Sequence, residues 1–201
     1  SIGSGKKQRE ELIHRIQGIY RTPNMRGKQR FAKQSYRNCI CAFDIETTRL
    51  SEIEQNIMYL WQFAVLLDDN EIICVYGRNW NELEELFTRI EDEHLITMIF
   101  VHNLSYEFQF LRSHIEIKPE EVFSLKPRKI LRIRAGNHMQ GNLEFRCSYM
   151  QTHKSLDKFL SDSGVQNQKL KDFDYDKRRY PWTELSTREI KYGCNDVIGL
   201  L

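Results

Sequence analysis

The chain has 201 residues, 40% of them hydrophobic and 29% charged, with a formal net charge of +2. This is the composition of a globular domain of ordinary size. It excludes a membrane-spanning helix, because no apolar run approaches the ~18–20 residues a bilayer requires, and no signal-peptide core follows the N-terminus.

Five cysteines, at 39, 41, 74, 147 and 194, are scattered and odd in number. A disulfide framework is not expected, and a reducing, cytoplasmic compartment is. Cys39 and Cys41 form a C-x-C with no His or second Cys pair nearby, which is too little for a structural zinc. The small net charge hides an asymmetry. Residues 1–37 hold ten Lys/Arg and two Glu, a net of +8, and the remainder holds twenty Lys/Arg against twenty-six acids, a net of −6. The expected division is a basic arm with a helix and linker over 1–37, then one domain over 38–201. Such an arm suits a phosphate backbone or an acidic partner, or is simply a solvated leader. The opening G-S-G-K-K lacks the spacing and the Ser/Thr of a P-loop.

In chain order, 10–20 has helical apolar spacing at Leu12, Ile13, Ile16 and Ile19, and 21–37 reads as a basic linker. Residues 39–45 read as a buried strand. Two β-rich runs, 57–69 and 71–78, flank Asp69-Asn70 and predict a hairpin. Residues 79–94 form an amphipathic helix with Leu83, Leu86, Phe87 and Ile90 on one face. An apolar strand (95–103) leads into a helix (104–114). Residues 129–136 and 141–150 alternate around a Gly-rich tip as a second hairpin. A short helix is expected over 155–164, then a polar loop with aromatics over 165–182. The last helix, 186–201, has Ser186 as N-cap with Glu189 three residues on. Strands and helices mixed in this way predict an α/β domain, one mixed sheet with helices on its faces.

Three acidic stations stand out. Asp44 and Glu46 sit at i, i+2 at the end of the first strand, so they share a face. Two carboxylates there repel and are costly to desolvate, so a cation must compensate: an Arg, a Lys or a hard divalent ion with oxygen ligands. Alone, the pair also fits a solvated strand end. The second station follows the apolar strand ending at His102-Asn103. Glu107 falls in the first turns of the next helix, where open α/β sheets build sites, although an acid there is also favourable dipole chemistry. The third is Y-G-C-N-D, with Tyr192 and Asp196 one turn apart on one helix face.

Taken in order, F-D-I-E-T-T (43–48), H-N-L-S-Y-E-F-Q-F-L (102–111) and Y-G-C-N-D-V (192–197) resemble the three motifs of the DEDDy exonuclease superfamily. The nearer resemblance is to the 3′–5′ exonuclease domain of protein-primed family B DNA polymerases, found in phages and linear plasmids. Residues 174–196 resemble the segment leading into the third motif, and Cys147–Met150 resembles a DNA-contacting dipeptide. The resemblance covers about 38–201 and implies a ribonuclease H-like sheet. It also implies two Mg²⁺ or Mn²⁺ ions on Asp44, Glu46, Glu107 and Asp196, with Tyr192 orienting the attacking water. The family pattern has Asp where this chain has Glu107, a carboxylate displaced by over ~1 Å. For the family's catalytic lysine, an ungapped alignment on Tyr175 lands on Leu170, between Lys169 and Lys171; Lys171 is the residue taken. Thr47, His102, Asn103, Tyr106, Phe110, Ser148 and Tyr149 match positions that hold single-stranded DNA, although Tyr106 and Phe110 also fit a core at helical spacing, and His102 a hydrogen-bonded structural residue. The implied reaction is hydrolysis of the 3′-terminal phosphodiester of a single or frayed strand, as proofreading within a longer polymerase encoded by a phage, plasmid or mobile element. A priming protein is a further implied partner. A free-standing DEDDy nuclease on RNA or DNA, and a weak domain kept for binding DNA or a priming protein, remain open alternatives.

Overall fold

The computed structural model describes residues 1–20, 35–136, 141–149, 158, 161–162, 174 and 176–201. Of the linker expected over 21–37, residues 21–34 lie outside the described residues and 35–37 are not linker but the start of a strand; the helix expected over 155–164 lies mostly, and Lys171 wholly, outside them.

The elements are β1 (Ile2–Gly3), α1 (Lys6–Gln17), β2 (Ser35–Leu50), β3 (Gln55–Leu66), β4 (Ile72–Gly77), α2 (Trp80–Ile90), β5 (Leu95–Val101), α3 (Leu104–Leu111), β6 (Val122–Lys126), β7 (Lys129–Ala135), β8 (Leu143–Cys147) and α4 (Thr187–Ile198). A 3₁₀ turn, Pro119–Glu121, precedes β6. The strands form one sheet in the order β1-β4-β3-β2-β5-β8-β7-β6. β2, β5 and β8 run parallel at its centre, and β3 and β7 are antiparallel to their neighbours. The predicted α/β class and mixed sheet are what the chain forms.

Side-chain alternation along β2 divides the molecule. Cys41, Phe43 and Ile45 point into the larger core, where α2 lays down Leu83, Leu86, Phe87 and Ile90. Phe43, Phe87 and Phe145 meet there edge-on, with ring centroids 5.5 to 6.4 Å apart, a geometry favoured by aromatic quadrupoles. Ala42 points the other way. With Ala64 and Cys74 it makes a flat patch on which α4 packs Cys194 and Val197. Small residues on both sides let α4 approach closely, and Asp44 and Glu46 lie on this same face.

Two differences from expectation concern β2 and the N-terminal segment. The strand runs sixteen residues rather than seven, because β3 pairs along its length from Ile40 to Leu50 while β5 pairs with its first half. The helix at the N-terminus belongs to the core: Leu12, Ile13 and Ile16 are buried in the main cluster. Arg37, 4% exposed, clamps it. Its Nη1 donates to the carbonyls of Ile16 (2.8 Å) and Ile19 (2.9 Å), and its Nε to Thr97 Oγ1 (3.2 Å). The orphan carbonyls at the end of α1 are satisfied by a side chain from the sheet.

Gly193 in α4 is a packing requirement. A Cβ there would lie 2.2 Å from Nε2 of Gln62, which is fully buried on β3. Gly193→Ala would normally gain about 1 kcal/mol of helix propensity. Here it should instead destabilise by roughly 1–3 kcal/mol through overpacking. Chemical denaturation checks this, and adding Gln62→Ala should recover most of the loss. A stabilised single variant would show that α4 lifts freely from the sheet.

Candidate metal centre

The site lies where β2 passes the ends of its parallel neighbours. Asp44 pairs with Gln62 and Glu46 with Leu60; then the register slips, so that Thr47 pairs with Met58 and Tyr59 is left as an extra residue. Such a bulge re-aims side chains next to it. Asp44 and Glu46 face α4, whose capping box is complete: Ser186 Oγ accepts from the Glu189 amide at 3.2 Å, and Glu189 Oε2 accepts from the Ser186 amide at 2.8 Å. The cap sets where the helix begins, and hence where Asp196 falls. Carboxylate oxygens of Asp44, Glu46 and Asp196 lie within 4.8 Å of one another.

Glu107 arrives from α3, in its first turn, and is 3% exposed. Its carboxyl meets that of Asp44 in a side-chain hydrogen bond that lowers Asp44 and raises Glu107. Its Oε2 is buried without a partner among the described residues. Glu107 thus stands behind Asp44 and outside the triad of mutually close carboxylates. Tyr192 lies one turn before Asp196 on α4 and is half-buried.

The electrostatics are those of crowded acids. Burial pushes Asp44 up to about 6, against the opposing hydrogen bond from Glu107. Glu46 is held well above its ordinary value by burial, then by repulsion from Asp44 and Asp196, with Arg179 opposing. Glu107 is raised by burial and by Asp44. Arg179, 3% exposed, is the buried cation of the site. Its Nε donates to Glu189 Oε1 at 2.6 Å and its Nη1 to the carbonyls of Asp174 and Lys177. The Arg179 amide donates to Thr48 Oγ1 at 3.0 Å. A cleft of about 220 Å³ opens beside Glu46, lined also by Tyr59, Lys177, Arg178 and Arg179. Among the described residues Arg179 is the cation whose charge opposes the raised Glu46, and it is shared with Glu189, so the four carboxyls keep an excess of negative charge. An all-oxygen donor set with an orphaned carboxyl oxygen behind it fits a hard divalent cation.

A pH prediction follows from these shifts. A carboxyl whose folded pKa is raised keeps its proton longer in the folded state, so stability falls as pH rises. Without metal, the protein should lose on the order of 1–3 kcal/mol between pH about 4 and somewhat above 6, the value to which Asp44 is raised. Glu189 acts in the opposite sense. Burial raises it, but its Ser186 and Arg179 hydrogen bonds prevail and hold it at about 2, so its contribution is lost only as pH falls towards that value. Melting curves at pH 4.5 and 7 test this: Mn²⁺ at pH 7 should restore the loss, and a melting temperature that rises with pH in metal-free buffer would contradict it.

Of the expected strand-binding residues, Thr47 follows Glu46 on β2 and Tyr106 precedes Glu107 on α3, while His102, Asn103, Ser148 and Tyr149 lie just beyond the ends of β5 and β8. Thr47 Oγ1 and the Tyr106 hydroxyl are hydrogen-bonded at 2.5 Å. His102 Nδ1 and Ser148 Oγ are 3.1 Å apart, and the Tyr149 ring meets His102 edge-on at 5.8 Å. Asn103 is exposed at the start of α3 with no side-chain capping bond. Phe110 is tilted against Tyr106 at 5.4 Å and stacked at 6.3 Å on Trp80, at the margin of the main core. Arg179 and Gln62 were missed from the sequence. Nothing marks Arg179 within the basic run 177–179. Gln62 did carry a signal, as the lone amide in an otherwise apolar and aromatic run over 57–67.

A mixed sheet flanked by helices, with acids gathered at the end of its central strands, is consistent with a ribonuclease H-like fold. No family model matches the chain, and no curated protein matches it. Solved structures do: phi29 DNA polymerase with primer-template DNA and incoming nucleotides aligns over 81% of this chain and 29% of that chain, at 15% identity and a TM-score of 0.64. The same polymerase with single-stranded DNA aligns over 81% and 30%, at 16% identity and 0.62; its orthorhombic crystal form over 81% and 29%, at 16% and 0.61. The chain spans under a third of the length of those polymerase chains, and the likeness is one of fold. Among the described residues no helix is long and apolar enough to cross a membrane.

Proposed function

We propose that the chain is the 3′–5′ exonuclease domain of a DNA-directed DNA polymerase, hydrolysing the terminal phosphodiester of a single or frayed DNA strand. One observation carries the reading. Asp44 and Glu46 from β2 and Asp196 from α4, remote in sequence, bring carboxylate oxygens within 4.8 Å, on a fold shared with part of a polymerase that acts on DNA. Two Mg²⁺ or Mn²⁺ ions there would supply an acidified water and neutralise charge on the scissile phosphate. Asp44, Glu46 and Asp196 would hold them. Glu107, hydrogen-bonded to Asp44, would set the orientation of that ligand and support the ions with its own carboxyl. Tyr192, one turn from Asp196, orients the attacking water. Tyr106, Phe110 and Tyr149 offer ring faces or edges to terminal bases, and Thr47, Asn103 and the His102–Ser148 pair contact the backbone. The lysine steadying phosphate charge is Lys171 in this reading. The cellular setting is cytoplasmic replication by a mobile element, with a priming protein as a further partner.

The test is a 5′-labelled single strand incubated with Mg²⁺, Mn²⁺ or EDTA. A ladder shortening from the 3′ end with either metal, and none with EDTA, is expected. An intact strand under all three conditions overturns the reading.

A further inference from the structure

The basic segment singled out at the N-terminus is not the only one. From Val122 to Ala135 the β6–β7 hairpin holds five cations, Lys126, Arg128, Lys129, Arg132 and Arg134, and no acid. Arg134 is committed to the buried Glu144 at 3.3 Å. Lys126, Arg128, Lys129 and Arg132 have no ion pair among the described residues.

The turn is built against backbone preference. Lys126 pairs with Lys129, leaving a two-residue connection, Pro127-Arg128. Arg128 sits at φ 63°, the position after Pro that a type II turn reserves for Gly or Asn. An arginine there costs conformational energy that a glycine would not. A single edge lysine suffices to block sheet-edge aggregation, so the rest of the charge needs another account.

Beside the turn the surface is open and aromatic. Phe123 is 53% exposed and Leu125 63%. Phe123, Leu131, Arg132, Arg146 and Cys147 line a cavity of about 400 Å³, and the Arg132 guanidinium lies 6.0 Å from the Phe123 ring centre. With the guanidinium held over one face, the half-exposed ring offers its open side to a base and keeps a cation at hand for the phosphate.

The hairpin is also at the right end of the sheet. The Ile130 amide donates to Ser105 Oγ at 2.9 Å, two residues from Glu107 in α3. Cys147, at the cavity, donates to the His102 carbonyl at 3.4 Å. Turn and cavity therefore adjoin the residues assigned to the strand end.

We propose that the β6–β7 hairpin is a track for single-stranded DNA, gripping nucleotides inward of the end held at Asp44, Glu46 and Asp196, with the base on Phe123 and phosphates on Arg132, Lys129 and the turn. This rests on the exonuclease reading, and charge complementarity selects the occupant: an unpaired cationic edge with one stacking face fits a flexible polyanion carrying bases.

The test is fluorescence anisotropy in EDTA with oligo(dT) of about 4 and about 16 nucleotides, spanning usual single-strand site sizes. The variants are Phe123→Ala, and Lys126→Ser, Arg128→Gly and Lys129→Ser combined. The wild type should bind the long strand more tightly than the short. Each variant should weaken long-strand binding about tenfold and leave the short strand unchanged. The triple variant should flatten the salt slope by about 0.7 for each phosphate contact removed. Arg128→Gly relieves the turn, so the triple variant should melt no lower than wild type. Equal wild-type affinity for both lengths, unchanged long-strand affinity in the variants (as when the hairpin docks a protein instead), or equal losses for both lengths would overturn the track. The active-site reading fails separately, if wild type binds the long strand but never shortens it with Mg²⁺ or Mn²⁺.

Discussion

Asp44→Asn should slow strand cleavage by on the order of a thousandfold while making the metal-free protein more stable. The first effect follows from removing a charged ligand whose neutral replacement binds a divalent cation poorly; several kcal/mol of transition-state stabilisation go with it, at tenfold in rate per ~1.4 kcal/mol. The second follows from the crowding of acids. Asp44 is raised to about 6 by burial, and its charge in turn raises Glu46 and Glu107. An amide of the same shape removes that repulsion at neutral pH, for a gain of about 1–2 kcal/mol, or roughly 2–8 °C in melting temperature for a chain of this size. Mn²⁺, which should raise the melting temperature of the wild type, should have little effect on the variant. The two measurements together separate a metal site from a structural acid cluster. If cleavage stays within a few-fold of wild type, Asp44 is no ligand; if the metal-free variant melts lower, the carboxylates are not in conflict.

Glu107 is the second large effect. It is buried, hydrogen-bonded to Asp44 and carries an orphan oxygen. Glu107→Ala leaves a cavity and removes the contact that turns Asp44, so cleavage should fall by about a hundredfold or more, equivalent to ~3 kcal/mol. Glu107→Gln keeps the shape and can donate to Asp44. It should preserve the metal-free fold and lose the negative charge that supports a bound cation. Glu107→Asp withdraws the carboxyl by one methylene from a contact the backbone now makes at glutamate length, so it should lower the rate too, by less than alanine. Steady-state rates across Mg²⁺ concentrations check all three: the metal requirement should shift upward in each. Wild-type rates and metal dependence in Ala and Gln alike would reduce Glu107 to a charge at a helix start.

Much of this arrangement was legible because periodicity is local. The i, i+2 spacing of Asp44 and Glu46 gave their shared face, the capping box at Ser186 and Glu189 placed α4, and Asp69-Asn70 marked the turn, where Asn70 adopts φ 62°. What was not legible depends on distant contacts. The length of β2 is decided by how far β3 accompanies it. The apolar face of α1, Leu12, Ile13 and Ile16, was visible in the sequence, but that it packs into the main core and that Arg37 reaches its terminal carbonyls are distant contacts. For the same reason, deleting 1–37 would remove core side chains as well as charge. β6 escaped notice because four of its five residues are exposed, so no apolar alternation marks it. Arg179 could not be told from Lys177 and Arg178 until the fold buried one of the three.

The slip in pairing between Glu46 and Thr47 bears on which kinds of sequence change the chain can absorb. Up to that point β2 is counted in twos, Phe43 and Ile45 inward, Asp44 and Glu46 towards α4. One codon inserted within 41–43 would turn both acids onto Phe87 and Phe145 and bring Phe43 and Ile45 out under α4. The damage would be total, not graded, and no single substitution elsewhere could repair it. The same codon inserted in 51–54, a turn outside the paired register, would alter neither face. A library of single-residue insertions should therefore show a sharp step in viability along this one strand, with tolerance returning within a few positions after Leu50.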